Sequence, residues 1–121
     1  MTDHSLLFKR KIMASDEGVV QRLREALADM PEVVEKRMFG GVAFMVYGHM
    51  SCGVVEESLM LRVGPEQHEE ALTRPFTRKM DFTGRPLKGF VYIDPPGFES
   101  DEDLDAWIQM SLDFVTALPP K

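Results

Sequence analysis

Two adjacent glycines, Gly40-Gly41, constrain the fold of this chain more than any other feature of its sequence. A glycine inside a regular element costs roughly 0.5–1 kcal/mol relative to alanine, so a pair needs a structural reason. The usual reasons are a positive φ, a β-bulge or a close backbone approach. Strand-like residues lie on both sides, at Val34–Met38 and Val42–Tyr47. The pair is therefore predicted to form either a tight turn or a bulge within a sheet.

The composition is that of an ordinary globular protein, with 121 residues, 44% apolar residues and a formal net charge of -6. A negative balance argues against direct nucleic-acid binding, which relies on Lys and Arg to release counterions. It also disfavours adsorption to an anionic membrane surface. No apolar run is long enough to span a bilayer, and the first residues lack the basic start of a signal peptide. We expect a cytoplasmic protein that does not bind a membrane.

Helical periodicity predicts three helices in one domain spanning residues 15–121, preceded by a loosely ordered lead-in at 1–14. Ser15 and Ser100 are the predicted N-caps of the first and last helices, because serine hydroxyls accept hydrogen bonds from free backbone N–H groups. The predicted helices are Asp16–Asp29, Glu66–Leu72 and a last helix that runs to about Leu118.

Alternating apolar residues predict five strands, separated by short turns. Short turns between successive strands imply an antiparallel meander, whereas residues 73–88 are predicted to be irregular. The expected fold is α+β, a two-layer sandwich whose antiparallel sheet is covered on one face by the N- and C-terminal helices. Some apolar side chains should then lie on the opposite face. The predicted strands are 34–38, 42–47, 50–55, 59–63 and 89–93.

Several of these segments together resemble the TfoX N-terminal domain family: Arg37–Val42, the hairpin at Gly48, Leu59–Val63, Gly89-Phe90-Val91 and the late run Asp101–Ile108. The resemblance covers about Gly18 to Leu118. It implies a fold similar to the secretion chaperones, which commonly pair into dimers. Full-length members regulate competence for DNA uptake in bacteria, and the span Met80–Gly89 is similar to stand-alone members. This chain ends at Lys121, before the position of their helical C-terminal domain, and the resemblance supplies no catalytic residues.

The residues with intrinsic reactivity form no coherent catalytic or metal site. Cys52 is the one thiol, and it is predicted to be a buried apolar filler on a strand. His49 is three residues away, so on a regular strand it would point to the opposite face. His4, His49 and His68 have no spacing used by metal sites, so neither a metal nor another cofactor is expected.

Basic residues are concentrated in one span, which also contains Phe76 and Phe82. Arginine suits bidentate recognition of carboxylates and phosphates, and loops often carry binding function. The span could instead be a solvated loop that complements the acidic segment Glu99–Asp105. Arg37 and Phe39, beside the glycine pair, are further candidates for ligand or partner binding. The basic candidates in the span are Arg74, Arg78, Lys79, Arg85 and Lys88.

Three functional hypotheses follow from these patterns. The leading one is a small homodimeric module that regulates through protein contacts with an unidentified partner. The alternative is a small-anion-binding or enzymatic domain that uses the basic loop 74–88, with Arg37 and Cys52 as further candidates. The third, direct DNA binding, rests only on the competence connection and conflicts with the acidic balance.

Overall fold

The computed structural model describes residues 16–38, 40–82 and 85–119; at 81, 82, 85 and 86 it describes only the backbone. The predicted lead-in at 1–14, the cap at Ser15 and the candidate Phe39 lie outside the described residues. The elements in chain order are α1 (Glu17–Ala26), β1 (Val33–Met38), β2 (Gly41–Val46), β3 (His49–Val55), β4 (Ser58–Arg62), α2 (His68–Leu72), β5 (Thr77–Phe82), β6 (Arg85–Ile93), a 3-10 helix (Pro95–Phe98) and α3 (Asp101–Val115).

The six strands form one antiparallel sheet in the order β1-β2-β3-β4-β6-β5. The first four strands are a meander joined by short turns. The chain then crosses through α2 to the edge strand β5 and returns as β6 beside β4. This arrangement confirms the α+β two-layer sandwich with helices near both ends of the chain.

The prediction of an irregular span at 73–88 was wrong, because β5 and the first part of β6 occupy most of it. Charged side chains and Pro86 weaken its strand signal. Strand formation there depends on pairing across the sheet more than on local propensity. Charged side chains are also common on an edge strand, where they discourage further pairing.

Helix ends depend on local capping. The Asp16 side chain accepts hydrogen bonds from the backbone N–H groups of Gly18 (2.8 Å) and Val19 (3.3 Å), so Asp16 is the N-cap of α1. The predicted cap at Ser100 is confirmed, since its hydroxyl accepts a hydrogen bond from the Asp103 N–H at 3.0 Å. Each such cap satisfies backbone donors that have no partner within the helix.

The main core lies between the helices and one face of the sheet, which we call the helix side. All three α-helices contribute buried side chains to it, and so do all strands from β2 to β6 except β5. Because these side chains are almost fully removed from water, their burial is the dominant stabilising term of the fold. Members of this core include Val20, Leu23, Phe44, Val54, Leu59, Ala71, Val91, Leu104, Trp107 and Ile108.

The two glycines serve different purposes. Gly40 has φ +71° and lies between Met38 and Gly41, which pair across the β1–β2 ladder, so it belongs to a hairpin turn. Gly41 has an ordinary φ, but a Cβ there would lie 2.0 Å from the Val54 carbonyl oxygen. The turn is therefore at Gly40, Gly41 is the first residue of β2, and the irregularity between β2 and β3 occurs instead after Phe44.

These environments predict different costs for the same substitution. Gly40→Ala places a side chain in open space at positive φ, at a cost of about 1–2 kcal/mol in free energy of unfolding. Gly41→Ala forces a methyl group against the β3 backbone, so its cost should be larger because β2 and β3 must separate. Urea unfolding of both variants measures this, and an equal or smaller loss for Gly41→Ala would contradict the close-approach explanation.

Candidate functional site

A second apolar cluster lies on the face of the sheet opposite the helices, and we call this surface the open face. No described helix residue joins this cluster. The half-buried members of the cluster surround and bury its central members. The accessible apolar surface is therefore formed by the half-buried side chains. The buried members are Ala43, Met60 and Met80, and the half-buried ones are Met38, Met50, Leu87, Phe90 and Tyr92.

Cross-strand register explains why these residues meet. Ala43 pairs with Gly53, Gly53 with Met60, and Met60 with Tyr92, which places them in one row across four strands. Residues that are directly opposite on neighbouring strands point to the same face. A Cβ on Gly53 would lie 2.7 Å from the Met60 methyl carbon, so the absent side chain lets Met60 lie against the sheet.

Methionine dominates the open face. Four of the nine methionines in the chain belong to this cluster: Met38, Met50, Met60 and Met80. Methionine side chains are unbranched and polarisable, and surfaces that bind partners by reshaping themselves use them often. The open face therefore has the chemistry of a protein-contact surface.

A polar cluster borders the open face at β5 and the end of β6. The guanidinium of Arg78 donates to both Asp94 carboxylate oxygens, with its closest contact at 2.8 Å, and to the Ser58 hydroxyl at 3.0 Å. The same group lies 4.8 Å from the centre of the Tyr92 ring. Hydrogen bonding to Arg78 holds the pKa of Asp94 below its usual value, whereas burial raises the pKa of Tyr92.

A second arginine borders the face on β4. The guanidinium of Arg62 lies 5.4 Å from the Phe90 ring centre and 5.3 Å from that of Phe114. Partial burial among these rings lowers the pKa of Arg62. The aromatic side chains Phe90 and Tyr92 are thus each stacked by an arginine, which holds their rings in place on the open face.

The structure does not gather the predicted basic residues into one site. Arg74 lies 5.1 Å from the Trp107 ring centre and 3.3 Å from Glu70, on the helix side, whereas Arg78 belongs to the open-face border. Lys79 and Lys88 are exposed on β5 and β6. Arg85 begins β6, but its side chain lies outside the described residues.

Arg37 is exposed on β1, away from these residues in the strand order. Of the basic residues in the span whose side chains are described, Arg74 pairs with Glu70 and Arg78 pairs with Asp94. The predicted acidic segment Glu99–Asp105 interacts instead with Arg22, which donates to the Glu99 carbonyl and to Asp101, both at 3.2 Å.

The thiol and the imidazoles have separate environments. Cys52 is 1% exposed within the helix-side core, and burial raises its pKa to about 12. The His49 Nε2 atom lies 2.7 Å from the Pro119 carbonyl oxygen, near the end of the described chain. His68 Nε2 is buried and has no hydrogen-bond partner among the described residues. A thiol held protonated by its surroundings is a poor nucleophile, so Cys52 has the properties of a packing residue.

Among the side chains that the structure describes, no group of three or more His, Cys, Asp or Glu is placed to hold a metal ion. Of the helices that the structure describes, none has both the length and the apolar character needed to cross a membrane.

Sequence reasoning predicted apolar side chains on the face opposite the helices but did not identify the members of the open-face cluster, although a signal for one of them was present. Leu59-Met60-Leu61 is an unbroken apolar run, which is typical of a strand that is buried on both faces. Alternation along β4 gives Leu59 and Leu61 to the helix side and Met60 to the open face. The other cluster members come from separate strands, and only the cross-strand register brings them together.

Comparison with known protein families identifies the family to which this chain is similar. Residues 25–115, about three quarters of the chain, match the family model described as the TfoX N-terminal domain. No curated protein matches the chain. The matched span includes all six strands, so it contains the whole open face.

The Arg78–Asp94 pair should make stability depend on pH. The folded-state pKa of Asp94 is lowered, so the pair stabilises the protein above the unfolded pKa of about 3.9 and loses this contribution as the pH falls through the folded pKa. Because both side chains are at least one-third exposed, the contribution at neutral pH should be at most about 1 kcal/mol.

Asp94→Asn should therefore unfold at a lower urea concentration than the unmodified chain at pH 7, and the difference should shrink towards pH 2. Asp29→Asn, at an exposed site outside the described ion pairs, is the control. A difference that is constant across this pH range would contradict a role for the charged carboxylate.

Cys52 should be chemically silent in the folded protein. Its burial and raised pKa predict little alkylation by iodoacetamide at pH 8, with complete alkylation once urea unfolds the chain. Mass spectrometry measures the modified fraction. Native labelling as fast as that of the unfolded chain would contradict the packing role and would favour the enzymatic hypothesis.

Proposed function

We propose that this chain, which belongs to the TfoX N-terminal domain family, is a small regulatory module that acts through protein contacts made by its open face. The single observation that carries the proposal is the methionine-rich apolar cluster on the side of the sheet that no described helix covers. Family membership supports a competence-regulator-like role. We place this activity in the cytoplasm, as the sequence leads us to expect.

The proposed partner surface is apolar at its centre and polar at its rim. The open face offers the half-buried Phe90 and Tyr92 around the buried Met60, and the Arg78–Asp94 pair provides a polar border. Apolar burial would supply most of the binding free energy, while the paired charges would favour one orientation of the partner. Four flexible methionines would let the surface adjust to the shape of the partner.

The anion-binding or enzymatic alternative receives less support. Arg74 and Arg78 lie beside different carboxylates, Glu70 and Asp94, so an incoming anion would compete with a partner already in place at each arginine. We do not propose direct DNA binding, because a protein with a formal net charge of -6 is repelled by the negatively charged phosphate backbone.

A substitution on the open face should separate partner binding from folding. Met50→Lys introduces a charge beside the apolar cluster, so an immobilised variant should capture less partner from an extract of the native cells than the unmodified chain. Gln109→Lys makes the matching change on an exposed position of α3 and should capture the partner normally. Circular dichroism checks that both variants are folded.

Methionine methyl groups then report where the partner binds. In a sample labelled with 13C at these methyl groups, the purified partner should shift the open-face signals. Met30 and Met110, which pack against the helix-side core, are internal controls. Shifts confined to these two controls would contradict the proposed contact surface. The signals expected to move are those of Met38, Met50, Met60 and Met80.

A further inference from the structure

The edge strand β1 is unusually accessible. It is the first strand in the sheet order, and its four central residues, 34–37, are exposed. Val34 is 53% exposed, one of the two large hydrophobic residues that the structure shows as exposed among those it describes. Charged side chains discourage pairing at an edge unless the incoming strand complements them, so an added strand here has to match Glu35, Lys36 and Arg37. The other edge, β5, is less suitable because its pairing with β6 is irregular between Lys79 and Asp81.

The hydrogen-bond pattern shows which β1 backbone groups are directed away from the sheet. The Tyr47 N–H donates to the Glu32 carbonyl, and the register pairs Val33 with Val46. Hydrogen-bonded and non-bonded pairs alternate along an antiparallel ladder. Even-numbered residues of β1 therefore direct their N–H and C=O groups towards β2. Those of Val33, Glu35 and Arg37 are directed outwards.

We propose that β1 pairs antiparallel with β1 of a second copy of this chain, about a two-fold axis at Lys36. In this register Glu35 is opposite the partner's Arg37, and the outward backbone groups of these residues form the hydrogen-bonded pairs. Val34 is opposite the partner's Met38 on the other face. The two six-stranded sheets become one. This interface is formed by the backbone of the sheet edge and shares only Met38 with the open face, which is the surface proposed above to bind the partner.

Charge complementarity supports a second copy as the occupant. Around Arg24 lie two carboxylates, Glu35 with a closest contact of 2.7 Å and Glu17 at 3.9 Å, so these three side chains carry a net charge of -1. The chain's own Arg37 acts on Glu35 through its charge alone, without a hydrogen bond or ion pair among the described contacts, and helps to lower the pKa of that carboxyl. An ionised carboxylate accepts about four hydrogen bonds, and Arg24 uses two of the sites on Glu35. The partner's Arg37 would bring a positive charge to this group. Symmetry forms the same contact twice.

One residue pair in the proposed register is electrostatically unfavourable. Lys36 is opposite the partner's Lys36 at the two-fold axis, and like charges directly opposite one another destabilise a strand pair. Lys36 is exposed, so the ammonium groups can separate into water. The interface therefore makes two opposite predictions for neighbouring residues: removing the charge of Arg37 should weaken self-association, and removing the charge of Lys36 should strengthen it.

Disulfide trapping tests the register directly. A non-hydrogen-bonded antiparallel pair has Cα atoms about 4.5 Å apart, within the range of about 4.4–6.8 Å that a disulfide spans. Lys36→Cys should therefore form a covalent dimer under mild oxidation. Lys79→Cys, the same substitution on the opposite edge strand, is the control and should stay monomeric under these conditions. Cys52 is buried in both variants and should not interfere.

Sedimentation equilibrium of the full chain tests the energetics. Arg37→Glu turns two attractive contacts into repulsive ones and should raise the dimer dissociation constant about tenfold, whereas Lys88→Glu makes the same charge change on β6 and should leave it unchanged. Lys36→Thr should lower the dissociation constant. Arg37→Pro should also abolish pairing while keeping the fold, because the N–H that it removes is directed away from β2.

The proposal would be overturned if the chain stayed monomeric at every concentration and Lys36→Cys formed no disulfide-linked dimer. It would also be overturned if Lys79→Cys formed the covalent dimer instead, or if the dimer persisted in both Arg37→Glu and Arg37→Pro. Met50→Lys separates this proposal from the open-face function. It should reduce partner capture and leave self-association intact. If Met50→Lys abolishes the dimer while Arg37→Glu does not, the open face is the dimer contact and the β1 interface is refuted.

Discussion

The packing of the three described helices on one face of the sheet is the constraint on which the rest of the structure depends. Apolar burial and two polar contacts, one fully buried and one partly buried, hold the long helix α3 in place. Its Ser111 hydroxyl lies 2.8 Å from that of Ser51, and the Trp107 indole donates to the Gly97 carbonyl at 3.1 Å. Because the helices cover one face, the apolar side chains of the opposite face are shielded from water only by one another or by a partner.

On the open face, close packing among its own residues removes part of the apolar surface from water. Met60 is 1% exposed although no described helix covers it, because it lies over Gly53 and among half-buried neighbours. The aromatic neighbours are in turn stacked by arginines. This packing keeps the central side chains out of water and leaves half-buried apolar side chains at the surface.

The two proposed interfaces depend on different kinds of interaction. The open face offers side chains, so recognition there would depend on apolar shape and on the border charges. The β1 edge offers backbone groups, so pairing there would depend on register and on the alternation of Glu35, Lys36 and Arg37. The surfaces adjoin along β1, and one chain could therefore use both at once.

Much of the fold was predictable from local patterns. The helical periods of α1 and α3, the cap at Ser100 and the meander were all expected, because each depends on residues close together in sequence. The strand predicted at 89–93 is the second part of β6, whereas β5 and the first part of β6 were missed because cross-sheet pairing stabilises them. The basic span was read as one loop, whereas Arg74 and Arg78 lie on different sides of the sheet, beside Trp107 and Tyr92.

The sequence by itself determined the α+β class, the family resemblance and the need for a special conformation at Gly40-Gly41, since each follows from residue type and short-range spacing. Only the tertiary structure decided that Gly40 turns the chain while Gly41 makes room for the β3 backbone. It also decided that methionines from four strands meet on one face. The physical reason is register: which side chains become neighbours across a sheet depends on long-range strand pairing, which local sequence does not encode.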